Sequence, residues 1–241
     1  MDILHLLVAR AGSKGLPGKN LARIAGLSLL GYKARAAQRS RHCSRLILST
    51  DGEDIQHEAA RLGVEVPFTR PAGLAQDSSS SEDVVLHAID WMEREEGRRY
   101  DAIMLLEPTT PFVRSDDLDR AVEMFSQLQA RLVTGICEVG SPTAFCTPLG
   151  PDNSIAPIVE RICKMPSYRR QDLPVEYKLN GAFYLFGWED FKATKRRYHD
   201  APRSHGVVMD RFHSVNIDTP EDLAFARFLA EQGYVDLQSW H

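Results

Sequence analysis

The chain is poor in the residue patterns that stabilise small secreted folds or build metal sites. Its four cysteines, Cys43, Cys137, Cys146 and Cys163, are scattered with no C-x-x-C pair. That argues against a disulfide framework or a zinc ribbon and reads as ordinary reduced thiols. Eight histidines form no H-E-x-x-H or other paired-ligand pattern. No apolar run approaches the length of a membrane-spanning helix. The first apolar stretch runs straight into a glycine-rich loop without a signal-peptide cleavage pattern, so a cytoplasmic protein is expected. Excess positive charge is also missing. A formal net charge of -4 argues against broad binding to nucleic acid or to an anionic membrane surface. Any basic cluster is therefore local, and informative for that reason.

What is present is an alternation of short apolar strands and longer helical patterns. With 241 residues, 43% hydrophobic and 26% charged, the chain suits one large α/β domain. Ile3 to Val8 reads as a buried strand, followed by a helix over Leu29 to Arg39. A second strand covers Arg45 to Thr50, with a helix to about Leu62 and a strand from Val64 to Phe68. The segment Asp77 to Ser81 precedes a helical pattern through Val84, Val85, Ala88 and Met92. Asp101 to Leu106 is a further buried strand, followed by a helix from Ser115 to about Gln129 and a strand from Leu132 to Val139. This order predicts a three-layer α/β fold, a mostly parallel sheet with helices on both faces. Ligands of such sheets bind beyond the carboxyl ends of the strands. From residue 140 to 178 prolines interrupt any regular period, which marks an extension within the single domain rather than a second one. Ala182 to Phe186 resumes the strand pattern. Asp218-Thr219-Pro220-Glu221 opens a closing helix.

The loop Ala9 to Asn20 carries the clearest chemistry. Its glycines, among them Gly12 and Gly15, let backbone amides approach an anion, and Arg10, Lys14 and Lys19 add positive charge. Three cations directly after a first strand suit a triphosphate. A solvated basic turn is the plainer alternative, which the strand context disfavours. The loop is neither a dinucleotide fingerprint nor a Walker A sequence, so a dehydrogenase ranks last.

This loop, the strand end Ser49-Thr50-Asp51-Gly52, Arg70-Pro71, Asp77 to Ser81, Leu105 to Pro111, Arg170 to Pro174, Asn180-Gly181 and Ile217-Asp218-Thr219 together resemble the sialic acid (acylneuraminate) cytidylyltransferases. The resemblance covers nearly the whole chain. It implies a nucleotide-diphospho-sugar transferase fold and transfer of CMP from CTP to the anomeric hydroxyl of a nine-carbon acidic sugar, with release of pyrophosphate. Arg10, Lys14 and Lys19 would hold the triphosphate and balance charge at the α-phosphorus and the leaving group. Gly12, Ser13 and Asn20 would belong to the same nucleotide grip. Arg70, Ser79 and Ser81 would line the cytosine site, with Ser80 or Ser81 also capping the next helix.

The same resemblance implies Mg²⁺ as cofactor. Asp218 is its main ligand candidate, and the second metal position, usually an aspartate two residues earlier on the same strand face, is Asn216 here. An amide oxygen ligates without adding negative charge. At the sugar end Glu107 replaces a usual glutamine and Lys178 a usual arginine. Lys178 or Arg170 would pair with the sugar carboxylate, and Asn180 would read hydroxyl or acylamino groups. Glu107 favours a hydrogen-bond donor on the sugar and repels a nearby carboxylate, which points to a legionaminic, pseudaminic or other modified acid. The extension 140–178 corresponds to a dimerisation segment, so a homodimer is expected, with a monomeric lid as the alternative. Other readings are a 3-deoxy-manno-octulosonate cytidylyltransferase, which the loop fits less well, and a nucleotide-binding relative with weakened catalysis. No residue stands out as a general base.

Overall fold

The computed structural model describes residues 1–240. In chain order the elements are β1 (Ile3–Val8), β2 (Arg23–Ile24), β3 (Leu27–Ser28), α1 (Leu29–Arg39), β4 (Arg45–Ser49), α2 (Glu53–Arg61), α3 (Ser81–Glu95), β5 (Ala102–Leu106), α4 (Ser115–Gln127), β6 (Leu132–Glu138), α5 (Ala156–Cys163), β7 (Tyr177–Gly187), α6 (Trp188–Thr194), β8 (Ser204–Val208) and α7 (Pro220–Glu231).

Six strands form one sheet in the order β4-β1-β5-β7-β6-β8, and β2 and β3 make a separate short hairpin. β1 pairs parallel with both β4 and β5, and β6 pairs parallel with β8. β7 alone runs against its neighbours β5 and β6. Because β7 is reversed, its beginning emerges at the edge where the parallel strands end. That topology gathers the loops after β1, β4 and β5 and the start of β7 at one end of the sheet, the position where open α/β sheets bind ligands.

The strands are apolar on both sides because both sides are covered. Ile3 and Leu7 of β1 pack with Leu29 and Leu30 of α1, Leu118 and Val122 of α4, and Leu223 and Leu229 of α7. Leu4 and Leu6 pack on the opposite face with Val85, Ile89 and Met92 of α3 and Phe191 of α6. Burying each such side chain contributes about 1.5–3 kcal/mol. The chain end closes the first layer. Trp240 lies edge-on to Tyr32 at 5.4 Å, and its indole donates to the Val113 carbonyl at 3.0 Å.

Local chemistry sets the helix starts. Ser28 caps α1 by accepting from the Gly31 amide at 3.0 Å, and Ser80 caps α3 by accepting from the Asp83 amide at 3.1 Å. α7 begins with Thr219 and Asp222 in a reciprocal capping box and a proline in its first turn. Two amides, those of Asp218 and Thr219, hold the Asp222 carboxyl below the usual carboxylate range.

Three sequence expectations change. The stretch 64–68 is not a strand: it touches the sheet only at isolated bridges, Ile47 to Glu65 and Thr50 to Thr69. Its apolar residues instead fill the groove beside β4. The segment 140–178 contains a helix, α5, and three short 3-10 turns, Thr143–Phe145, Pro151–Asn153 and Arg170–Asp172. β7 begins at Tyr177, five residues earlier than its apolar core indicates, because an irregular pairing interrupts it. Between Thr134–Tyr184 and Ile136–Leu179 the register shifts, leaving four residues of β7 against one of β6.

Candidate active site

The loop after β1 is held open from below. The Ala9 amide donates to the Ser49 carbonyl at 3.1 Å, the Ala11 amide to Asp51 at 3.0 Å, and the Asn20 side chain to the Arg10 carbonyl at 3.0 Å. Asn20 is thus a buried brace of the loop, with its amide spent on the backbone. Asp218 stands in the irregular segment between β8 and α7 and not on the strand that the sequence indicates, since β8 ends at Val208. Gly15 lets the loop lie against it. A Cβ there would stand 2.5 Å from the Asp218 carbonyl oxygen, closer than any side chain tolerates.

A cleft of about 560 Å³ opens above this loop. Arg10, Ser13, Lys14, Lys19 and Asn20 form its floor; Arg70, Ser79 and Ser81 form the side contributed by 70–81. Gly12 stands outside this lining, in an exposed part of the loop with open space around it. Each loop cation that reaches the cleft is already paired. Arg10 contacts Asp77 at 2.7 Å, Lys14 contacts the other Asp77 oxygen at 2.5 Å, and Lys19 contacts Asp218 at 2.9 Å. Lys14 and then Arg10 hold the Asp77 carboxyl below its usual range. Asp77 therefore sits where the cations converge, as an anion would.

Arg70 is buried and donates to the Ser49 hydroxyl at 3.0 Å and the Ser49 carbonyl at 2.5 Å. Burial lowers its guanidinium to about 10, which still leaves it cationic at neutral pH. Ser79 is engaged locally, donating to the Gly73 carbonyl at 3.0 Å and accepting from the Gln76 amide. Ser81 points across the cleft and donates to Glu107 at 3.1 Å.

Glu107, Thr109 and Asp218 form a wall between this cleft and a second one of about 430 Å³. The second cleft is lined further by Lys178, Asn180, Gly181 and Asn216. Asn180 borders it, but its side chain is buried and turned inward. Its oxygen accepts from the Ala182 amide at 3.0 Å, and its nitrogen donates to the Ser214 hydroxyl at 2.9 Å and to Met209 sulfur at 3.2 Å. Gly135 makes this possible, since a Cβ there would lie 2.4 Å from the Asn180 oxygen. In this structure Asn180 shapes the pocket wall, and its amide has no free edge for a ligand.

Arg170 is not brought into either cleft of its own chain. It donates to the Gly140 carbonyl at 2.8 Å and lines a separate hollow of about 250 Å³ with Tyr177 and Asp210. The extension carries it past the end of β6, away from Glu107.

The groups around Asp218 form the candidate donor set for a divalent cation. Its carboxylate accepts from Lys19 on one oxygen and from the Asn216 amide nitrogen on the other, while the Asn216 oxygen faces the Thr110 hydroxyl at 3.3 Å. No group of three His, Cys, Asp or Glu side chains able to hold a metal occurs among the described residues. One carboxylate and one amide fit a Mg²⁺ ion that brings phosphate oxygens and water as its other ligands, and do not form a cage of their own.

Sequence reasoning gave no role to Asp77, Thr110 or Lys33. Asp77 stands in a matched segment but its partners are more than sixty residues away, and Thr110 donates to the Asn180 carbonyl at 2.8 Å through a fold contact. No local pattern signals either.

The geometry agrees with what similar proteins are. The chain is 31% identical over 234 residues to CMP-N,N'-diacetyllegionaminic acid synthase of Legionella pneumophila, covering 96% of this chain and 97% of that protein. It is 33% identical over 235 residues to pseudaminic acid cytidylyltransferase of Campylobacter jejuni, covering 95% and 96%. In fold it resembles a solved CMP:2-keto-3-deoxy-manno-octonic acid synthetase complexed with CTP, with a TM-score of 0.69 at 17% identity over 97% of this chain and 100% of that one. No helix among the described residues is long and apolar enough to cross a membrane. Residues 4–238 match the family described as cytidylyltransferase, and the chain belongs to that family of nucleotidyltransferases.

Proposed function

We propose that the protein transfers the cytidylyl group of CTP to the anomeric hydroxyl of a nine-carbon acidic sugar of the sialic, legionaminic or pseudaminic type, releasing pyrophosphate. The observation that carries this reading is the shared wall of Glu107, Thr109 and Asp218 between a cation-floored cleft and a second polar pocket. A triphosphate on the loop would present its α-phosphorus at that wall, and a sugar in the second pocket would present a hydroxyl from the other side. The new bond joins the anomeric oxygen to the α-phosphorus; the bond from the α-phosphorus to the bridging oxygen breaks, that oxygen leaves with pyrophosphate, and the hydroxyl proton passes to water.

Arg10, Lys14 and Lys19 are the groups to stabilise the charge that grows on the leaving pyrophosphate. Asp218 and Asn216 are the residues to hold Mg²⁺, which when bound would polarise the phosphates. To offer its oxygen, the Asn216 amide has to turn away from Asp218, giving up that hydrogen bond.

Glu107 accepts the Ser81 hydroxyl and keeps a second oxygen for a ligand donor. A carboxylate there repels the sugar's own carboxylate and directs it toward Lys178 across the pocket. An acceptor with an additional amino, acylamino or hydroxyl donor gains most, which favours the legionaminic and pseudaminic types over plain sialic acid. The names of the two similar proteins support the same choice.

The extension 140–178 is proposed as the dimer contact of a single-domain protein. Leu149, Ile155, Val159, Tyr168 and Val175 are exposed along and beside it, more apolar surface than a monomer commonly leaves in one segment. A second copy would cover them and would bring Arg170 of one copy to the acceptor pocket of the other. The cytoplasm is the proposed compartment, because CTP is made there.

Pyrophosphate release tests the reading. CTP, UTP and GTP are each supplied with Mg²⁺ and with N-acetylneuraminic, N,N'-diacetyllegionaminic and pseudaminic acids. Release with CTP, fastest with a diamino sugar, is expected. CTP binding without release for any acidic sugar overturns the enzymatic reading, and fastest release with N-acetylneuraminic acid overturns the role given to Glu107.

A further inference from the structure

Lys33 is a fully buried lysine in the middle of the apolar face of α1, between Tyr32 and Ala34, which are equally buried. Removing an ammonium from water without a contacting carboxylate is among the most costly burials in a fold. No carboxylate lies within ion-pair distance of it among the described residues. Its Nζ donates to the backbone carbonyl of Ala182 instead.

Ala182 lies in the four-residue interruption of β7, where backbone groups have no ladder partner. Side chains take over those bonds. Thr110 donates to the Asn180 carbonyl at 2.8 Å, Thr134 to the Phe183 carbonyl at 2.7 Å, and Lys33 to the carbonyl between them. The Ala182 amide donates to the Asn180 side chain at 3.0 Å. Lys33 and Asn180 thus hold the two sides of the same residue, and Gly181, with φ +70°, is the turn they trap between them. Gly181 and the adjoining Lys178 wall the second pocket.

We infer that Lys33 is a positioning residue of the acceptor pocket, clamping the 180–183 bulge from inside the core so that its wall keeps one shape. This rests on the reading of that pocket as the sugar subsite. The charge has a purpose beyond the hydrogen bond. The anionic groups that face the ammonium are Glu107 at the end of β5 and Asp117 on α4, and Arg114 and Arg120 already pair with Asp117. Glu107 is therefore the carboxylate left for it to influence. Burial lowers the Lys33 ammonium to about 7, opposed by Glu107 and then Asp117, so its charge changes near neutral pH.

Lys33→Met and Lys33→Gln test this, with N,N'-diacetyllegionaminic acid as acceptor. Lys33→Met is expected to raise the acceptor KM about tenfold, leave the CTP KM unchanged and raise the melting temperature. The wild-type acceptor KM should change through pH 7 to 8, and that change should vanish in both variants. Lys33→Gln, which keeps a donor, should recover part of the KM. A stabler Lys33→Met protein with wild-type acceptor KM and pH profile overturns the inference. Amide exchange at Gly181 and Ala182 separates this from the functional reading. If wild type turns over no acidic sugar, the sugar assignment fails, yet protection, measured against the intrinsic base-catalysed rate, should still fall in Lys33→Met and in wild type above pH 8. Unchanged protection removes the clamp, and protection is read on Lys33→Gln or across pH in wild type should Lys33→Met not fold.

Discussion

In the half of the site proposed for the nucleotide, Arg10, Lys14 and Lys19 extend from a loop, Lys14 well into solvent and Lys19 mostly covered, and each meets a carboxylate that a ligand would displace. In the acceptor half, Asn180, Thr110 and Lys33 are buried and bonded to backbone that has lost its sheet partners. One half exchanges partners and the other is built once. A triphosphate is recognised mainly by charge, which tolerates flexible side chains, whereas telling one sugar from another needs a wall of fixed shape. Mutations should therefore separate cleanly: changes in the loop should affect CTP and changes around the bulge should affect the acceptor.

The largest test of that separation is Arg10→Ala. Its backbone carbonyl still accepts from Asn20, so the loop keeps its brace while the cleft loses a guanidinium. The expected loss in kcat/KM for CTP is roughly 10²–10³-fold, with the acceptor KM unmoved. A proportional rise in the acceptor KM in initial-rate kinetics would show that the halves are not independent.

Acid sensitivity comes next in size and belongs to neither half. His5 lies fully buried in β1, and burial lowers its imidazole from 6.5 to about 4. The unfolded chain takes up this proton first. Stability from neutral His5 is complete above pH 6.5 and lost as pH falls through about 4. At 1.36 kcal/mol per unit the loss is roughly 3 kcal/mol. Urea midpoints between pH 4 and 7.5 should fall with acid in wild type and much less in His5→Leu. An equal fall in both would clear His5, and activity lost over that range has to be corrected for unfolding before any site residue is blamed.

These two positions also mark what the sequence makes readable. The loop 9–20 declares itself because its glycines and cations are contiguous and follow a strand. The strand ends before Asp51 and Glu107 and the helix start beside Asp218 are equally local, and the topology then brings them together. The bulge is another matter. Its cause is a register shift between β6 and β7, and those strands are more than forty residues apart. Without it, Asn180 reads as a ligand contact when its amide is spent inside. Lys33, in Leu29-Leu30-Gly31-Tyr32-Lys33-Ala34, carries no signal of a role in the sequence. Only an orphaned carbonyl on a distant strand explains why it is buried. The stretch 64–68 fails for a related reason: alternating apolar residues suit a strand, but β4 offers them only one bridge, Ile47 to Glu65.

Asn216→Asp tests the boundary between the halves. The native amide donates to Asp218, so the pair holds together with one negative charge and no metal. A second carboxylate would repel Asp218 until a divalent cation bridges them. The half-saturating Mg²⁺ concentration should then fall about tenfold. An unchanged requirement would mean that the nucleotide alone carries the ion and Asn216 serves only to orient Asp218.

Asp77→Asn should have the smallest effect, and its sign is the point. Asp77 is exposed and binds Arg10 and Lys14 in the position a phosphate group needs. If the loop cations exchange partners, the carboxylate competes with CTP, and replacing it by an amide should lower the CTP KM by about threefold at low salt. The gain should shrink at high salt, where screening already weakens the competing pair. If the CTP KM rises instead, Asp77 is holding Arg10 and Lys14 in the geometry that phosphate requires. The nucleotide half would then be as fixed in advance as the acceptor half, and the contrast between them would come down to burial alone.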